Sequence, residues 1–442
     1  MATKAQTVSR RGDILTLGFG TSVAMWFLGY VCRMPSAPAP SWALGLGLLA
    51  CLAAGGYVAG RLTDRGWTGG LAAGLLSSAI NLLILGSLLG GDRANQVVPS
   101  ALWWLPGSLV LGAGVAAAGA IAGRSTRRRD TRVVNWTGAF AGVAAAATLL
   151  QLLVGGFVTG NKAGLSVVDW PNSFGYNMFL YPLSRMTGGV YYEHAHRLFG
   201  SLVGLTTVAL AAHLLRSDRR SRVKRLALVA VLAVIVQGIL GGLRVTGGFT
   251  ASTSPEAMAP SITLAIVHGV LGPAFFALVV AIAVLTSTTW NSGVPARASA
   301  HAGSEHVFGL LLVGAVAVQL LLGAIQRHLA RGLMVHITFA VAVLALALLH
   351  GSRLWGLYEG QPLLQRLGRL IMTVAAVQVS LGILAFFAVQ LRVEGVPRPG
   401  WDVLLTTAHQ ACGSVLLGCS VMGALWSRRL LVQAEADAER RA

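Results

Sequence analysis

Apolar residues run along this chain in twelve blocks of about 20, each bounded by a short polar or basic segment. A helix rises 1.5 Å per residue, so such a block crosses about 30 Å of hydrocarbon. The blocks lie near 14–34, 43–60, 69–91, 102–123, 136–158, 193–215, 226–246, 262–286, 305–325, 332–352, 370–391 and 403–426. The pattern predicts an all-α integral membrane protein with about twelve transmembrane helices.

A second pattern is laid over the first. Gln-xxx-Gly recurs on alternate blocks, at Gln151/Gly155, Gln237/Gly241, Gln319/Gly323 and Gln378/Gly382, and the block after each carries a histidine, His196, His268, His336 or His409. Gln237 to His268 and Gln378 to His409 both span 31 residues, whereas Gln151 to His196 spans 45 and Gln319 to His336 spans 17. A two-helix unit repeated four times reads most simply as two pseudo-repeated four-helix bundles, since bundle cores are where facing helices build cofactor sites. The charged linker Arg124 to Arg132 sets off what precedes them. Residues 1–130 are therefore expected to form four extra helices of unassigned chemistry, 131–300 the first bundle and 301–442 the second. Taken alone, Gln-xxx-Gly is a packing motif, because small residues spaced by four let membrane helices approach and a glutamine bonds across.

Composition agrees with spans: 55% of residues are hydrophobic and 11% charged, which excludes ordinary water-soluble folds. A net charge of +19 raises nucleic acid as a partner, but the basic residues cluster in alternate loops. The segments on one side carry 24 of the 34 basic residues, including Arg124 to Arg132 and Arg216 to Arg225. By the positive-inside rule this places both termini in the cytoplasm and leaves no role for nucleic acid. Cys32, Cys51, Cys412 and Cys419 form no CxxC and no outer-loop pair, so they read as small apolar residues. The polar first dozen residues precede a block long enough to span, so the first helix is expected to act as its own insertion signal, without cleavage.

All ten histidines follow the charged linker. A single one on a membrane helix is ordinarily a hydrogen-bonding packing residue. His196, His268, His336 and His409, however, all fall in the first turns of helices descending from the outer surface, and intramembrane ionisable groups are costly and functional as a rule. Four at one depth point to two facing pairs of metal ligands. Gly200, Gly272 and Gly413 stand four residues beyond three of them, with Ala340 beyond His336. Small residues there favour a flat ligand, a haem, over a zinc or copper ion. His213 and His350 lie 17 and 14 residues further along their helices, about 25 and 21 Å away.

Around His196 the sequence reads Glu193-His194-Ala195-His196-Arg197, placing Glu193, His196 and Arg197 on one helix face. The plainest account is an interfacial ion pair in the first helical turn. The third unit reads Leu333-Met334-Val335-His336-Ile337, keeping the histidine and losing both charges. One half can then do acid/base or charge-stabilising chemistry beside its cofactor, and the other can only hold one.

At these residues the chain resembles the haem A synthase family, over about 136–426. The motif of Glu, two residues, His and Arg corresponds to Glu193, His196 and Arg197; the family's outer-loop pattern appears as Gly164-Leu165-Ser166 and Trp170-Pro171. The resemblance implies oxidation of the C8 methyl of haem O to a formyl group for cytochrome oxidase biogenesis. Substrate haem O would bind between His196 and His268, and a cofactor haem b between His336 and His409. Glu193 would stabilise charge at the reacting methyl, and Arg197 would hold a propionate or orient Glu193. It also implies a bacterial cytoplasmic membrane, with the lipid bilayer, haem O synthase and cytochrome oxidase subunits or assembly factors as partners. The chain departs from the family in lacking the arginine ahead of the Gly-Leu-Ser loop and an outer-loop cysteine pair, and in its four extra helices. A non-catalytic di-haem b cytochrome relaying electrons from a quinol would use the same four histidines without needing an acid at 193; a transporter built of repeated bundles would bind no iron.

Overall fold

The computed structural model describes residues 2–91, 93–127, 134–248, 253–393 and 395–434. Part of the charged linker, 128–133, and the basic residues Arg440 and Arg441 lie outside the described residues, as do the side chains of 2–11. Thirteen helices are described: α1 Ala2–Cys32, α2 Ser41–Leu62, α3 Trp67–Leu89, α4 Ala101–Ser125, α5 Trp136–Gly160, α6 Gly188–Ser217, α7 Ser221–Thr246, α8 Ile262–Thr286, the short α9 Thr288–Asn291, α10 Ala302–Leu329, α11 Leu333–Gly356, α12 Pro362–Gln390 and α13 Gly400–Leu430. All but α9 are long and apolar enough to cross a membrane, giving the twelve spans of a multi-pass membrane protein. The helices overrun the apolar blocks, α6 by starting at Gly188 and α12 at Pro362, because a backbone whose hydrogen bonds are satisfied continues past the hydrocarbon edge.

The chain divides into two compact units, one of residues up to 238 with 245–260, the other of 239–244 with 261 onward. In the first, α1 packs on α2, α3, α5 and α6, α4 on α2 and α3, and α5 on α6. Side chains at two glycines would forbid this approach: a Cβ on Gly56 would run into the Ala116 carbonyl, and one on Gly60 into that of Ala120. Van der Waals packing through small residues is the main attraction left to helices in lipid, where no hydrophobic force operates between them.

In the second unit α10, α11, α12 and α13 close a ring in which each packs on its two neighbours, and α8 lies against α10 and α13. Leu312, Leu354, Leu364 and Ile371 fill its core, none more than marginally exposed. One feature has no apolar signature in the sequence: Arg297–Ser299 (β1) pairs in parallel with Leu431–Gln433 (β2).

Candidate functional site

The four repeated histidines share a seat. In the first unit the His196 ring lies on Gly155, where an added Cβ would come within 2.9 Å of Cε1 and 3.3 Å of Nδ1. In the second unit His268 lies on Gly241 at 3.0 Å, His336 on Gly323 at 3.2 Å and His409 on Gly382 at 2.9 Å, measured the same way to Cε1. The glycine of each Gln-xxx-Gly is thus the floor under the imidazole of the following helix. Its value is the absence of a side chain, which lets the ring lie against backbone.

The glutamines act on the same histidines. Gln151 Nε2 donates to the His196 main-chain oxygen at 3.1 Å, and Gln319 Nε2 to that of His336 at 3.0 Å. A Cβ on Gly200 would stand 3.4 Å from Gln151 Nε2, and one on Gly413 3.2 Å from Gln378 Nε2. The room beside Gly200 and Gly413 therefore holds the glutamine amide, while Gly272 is buried within α8. Gln319 Nε2 also reaches His336 Nδ1 at 3.1 Å. His409 Nδ1 stands 3.2 Å from the Gln378 main-chain oxygen, so an Nδ1–H there donates to it and leaves the Nε2 lone pair for a ligand.

Burial separates two kinds of histidine. His196, His268, His336 and His409 are partly exposed, whereas His194 and His350 are wholly buried. In the second unit the rings of His336 and His409 stand in a T-shaped arrangement with centroids 6.4 Å apart and planes at 84°. Among the described residues no group of three or more His, Cys, Asp or Glu side chains could hold a metal ion. An ion between His336 and His409 would take two protein ligands, with its remaining positions filled from elsewhere.

The first unit adds charge. Because α6 begins at Gly188, Glu193 lies inside the helix and not in its first turn, and it is 3% exposed. Arg197 Nε reaches Glu193 Oε1 at 3.3 Å, Nη1 donates to the main-chain oxygens of Asp169 at 2.7 Å and Asn172 at 2.9 Å, and Nη2 to that of Val167 at 3.0 Å. Four of its five N–H donors are thus spent on Glu193 and the loop between α5 and α6. Buried Asp169 turns that loop by accepting from Phe174 N at 2.6 Å and Gly175 N at 2.8 Å, and His194 Nδ1 shares a hydrogen bond of 3.0 Å with Ser173 Oγ. Tyr181 packs on the His194 ring, and burial pushes its hydroxyl pKa above the ordinary value. The loop holding Gly164-Leu165-Ser166 and Trp170-Pro171 is therefore fastened to the charged face of α6.

Residues 175–336 match the COX15-CtaA family of cytochrome oxidase assembly proteins. The COX15-CtaA match takes in Glu193, His196, Arg197, His268 and His336, and it supports a role in cytochrome oxidase assembly. Protoheme IX farnesyltransferase of Haloarcula marismortui is 31% identical over 144 residues, which are 33% of this chain and 28% of that relative. The chain thus spans under a third of the relative's length. Within and beyond the COX15-CtaA stretch, site reasoning from sequence left out Gln151, Gly155, Gly241, Gly323, Gly382 and Asp169. The signal for all but Asp169 was present as the Gln-xxx-Gly repeat, which shows its partner only once the following helix is folded against it.

Proposed function

We propose that this chain is a haem A synthase, oxidising the C8 methyl of haem O to a formyl group by two successive hydroxylations at one carbon, each taking its oxygen from water and giving up two electrons and two protons to an external one-electron acceptor, the hydrate then losing water. The observation that carries this reading is the pair His336 and His409. Their ring centroids stand 6.4 Å apart, a separation at which both could ligate one ion. The His409 Nδ1–H bond to a carbonyl is the support that a ligating histidine uses to present Nε2. Among the described residues no third side chain completes a metal site at the pair, and a porphyrin would bring nitrogen donors of its own, which supports haem b held by His336 and His409. When bound, that group supplies one-electron transfer.

His196 and His268 are the ligands that the resemblance assigns to substrate haem O, each seated on its glycine. Glu193, buried against Arg197, would stabilise positive charge developing at the methyl. Arg197 positions Glu193 and fastens the loop over it, with no more than one N–H left over. The name of the Haloarcula relative speaks of farnesyl transfer to protohaem, which concerns the same class of porphyrin. The positive-inside pattern supports both termini in the cytoplasm; a bacterial cytoplasmic membrane, and haem O synthase and cytochrome oxidase assembly factors as partners, are what the resemblance implies.

The test is extraction of haem from membranes that contain the chain and are supplied with haem O. Haem A with hydroxylated intermediates is the expected product, and Glu193→Gln should abolish it. Recovery of b haem with unchanged haem O would make the chain an electron relay instead.

A further inference from the structure

The loop 161–187 between α5 and α6 is fastened on two sides. Arg197 grips one side through the main-chain oxygens of Val167, Asp169 and Asn172. The other side rests on the N-terminal helices, which lie outside the stretch that matches the COX15-CtaA family. A Cβ on Gly86 of α3 would run into the main-chain oxygen of Phe179, and one on Gly90, at the end of α3, into that of Leu180. The surface on which the loop lies is therefore bare backbone. Beyond it the connector to α4 is closed by Gly91 N donating to the Gln96 main-chain oxygen at 2.8 Å and Val98 N to that of Leu89 at 2.9 Å. Within this connector Asn95 is left-handed, with φ 62°, and its Oδ1 accepts from Asn177 N at 2.7 Å.

The same helices brace α6 beside the charged pair. Tyr191, two residues ahead of Glu193, donates from Oη to the Tyr30 main-chain oxygen, and the two rings stack with centroids 5.5 Å apart. Trp26 and Tyr30 stand in T-shaped contact with Phe199, at 5.6 and 5.8 Å. All four side chains are buried. Trp26 Nε1 donates to Asn81 Oδ1 on α3 at 2.9 Å, so α1 and α3 hold together as they meet α6 and the loop. Aromatic pairs add attraction to the close packing that helices rely on in lipid.

A loop of this length is ordered only where its backbone is held. Its two attachments are joined by a short, internally bonded run of chain. Asp169 accepts from Phe174 N and Gly175 N, and Ser173 and Tyr176 exchange main-chain bonds of 2.9 and 3.1 Å. Displacement at 177–180 is thus passed to the oxygens that Arg197 grips.

We propose that the four N-terminal helices are a built-in positioning partner for the first unit's site: the end of α3 and Asn95 seat the α5–α6 loop, and through the loop they hold Arg197 against Glu193. Asn95 is a positioning residue and touches no reacting atom. The seat itself is independent of the reaction; its consequence for oxidation rests on the haem A synthase reading.

The experiment is amide hydrogen exchange, read by mass spectrometry on the purified full chain, for wild type, Asn95→Gly, Gly86→Ala and Gly29→Ala. Asn95 is exposed, and glycine there removes one acceptor while keeping the left-handed backbone at no steric cost. A Cβ on Gly29 of α1 meets nothing within 4 Å, which makes Gly29→Ala the control. Exchange across 166–176, which neither test substitution touches, should rise by about fivefold or more in Asn95→Gly and Gly86→Ala, the worth of one hydrogen bond. In Gly29→Ala it should stay at the wild-type level, and α5 and α6 should keep wild-type protection in all three. A rise confined to 177–181, or no rise, overturns the proposal, because the seat then stops short of Arg197. An even rise through α1 to α6 overturns it too, since the contacts then serve stability alone. Supplied with haem O, the same two variants should form haem A more slowly at saturating substrate, with unchanged haem b content. An unchanged rate beside a raised exchange overturns the positioning of Glu193. No haem A from wild type overturns the haem A synthase reading, while exchange decides the seat by itself.

Discussion

The imidazole of His409 lies on Gly382, where a single added carbon would come 2.9 Å from the ring. No neighbour can yield cheaply there, because the ring is itself held by the Gln378 main-chain oxygen. Gly382→Ala should therefore displace the histidine and cost about 1–3 kcal/mol by overpacking, more than the ~1 kcal/mol that alanine gains in helix propensity. Gly314→Ala on α10, where an added Cβ meets nothing within 4 Å, should stabilise slightly. Haem content and thermal unfolding of the two variants, measured side by side, check the contrast.

Arg197 and Glu193 are both buried, so removing the cation leaves an uncompensated carboxylate. Arg197→Met should cost about 3–5 kcal/mol, while Glu193→Gln, which keeps size and hydrogen bonding, should cost clearly less. The loop bonds add a second expectation. Limited proteolysis between residues 163 and 186 should quicken in Arg197→Met and stay near the wild-type rate in Glu193→Gln.

Most of the fold was legible in the amino-acid sequence because each span is long, apolar and bounded by charge, and every block became a helix. The histidine repeat was legible as types and spacings, and the fold brings the rings of His336 and His409, 73 residues apart, within 6.4 Å of each other. What sequence could not show is which helix lies against which. Gly323 and Gly382 read as packing glycines until the rings of His336 and His409 are seen resting on them. Arg197 is a harder case, since three of its partners are main-chain oxygens, which every residue carries. Its charge drew attention to Glu193 and gave no hint of the loop.

A second buried ion network lies on α10 and α11. Glu305 accepts from Arg353 Nε at 2.7 Å and stands 3.2 Å from His350 Nδ1, with Glu305 and His350 both fully buried. Burial and the Glu305 charge push the nearby Tyr358 hydroxyl up to about 12. Glu305→Ala should destabilise the chain by about 3–5 kcal/mol, and Glu305→Gln by less. His350 is 14 residues from His336, about 21 Å along α11, so the Soret band should not move in either variant. Thermal unfolding with a spectrum taken below the transition separates the two effects.

The planes of His336 and His409 cross at 84°. If both rings ligated one ferric haem at this angle, its low-spin resonance would be more anisotropic than that of a pair with parallel planes. Electron paramagnetic resonance of the oxidised, purified chain reads this directly.

The central claim is that His336 and His409 together grip one iron porphyrin. The most direct measurement is the optical spectrum of the chain purified from haem-replete cells, beside His336→Ala and His409→Ala. The account predicts a low-spin, bis-imidazole Soret band that loses the same component in either variant. A spectrum unchanged by both substitutions would contradict it.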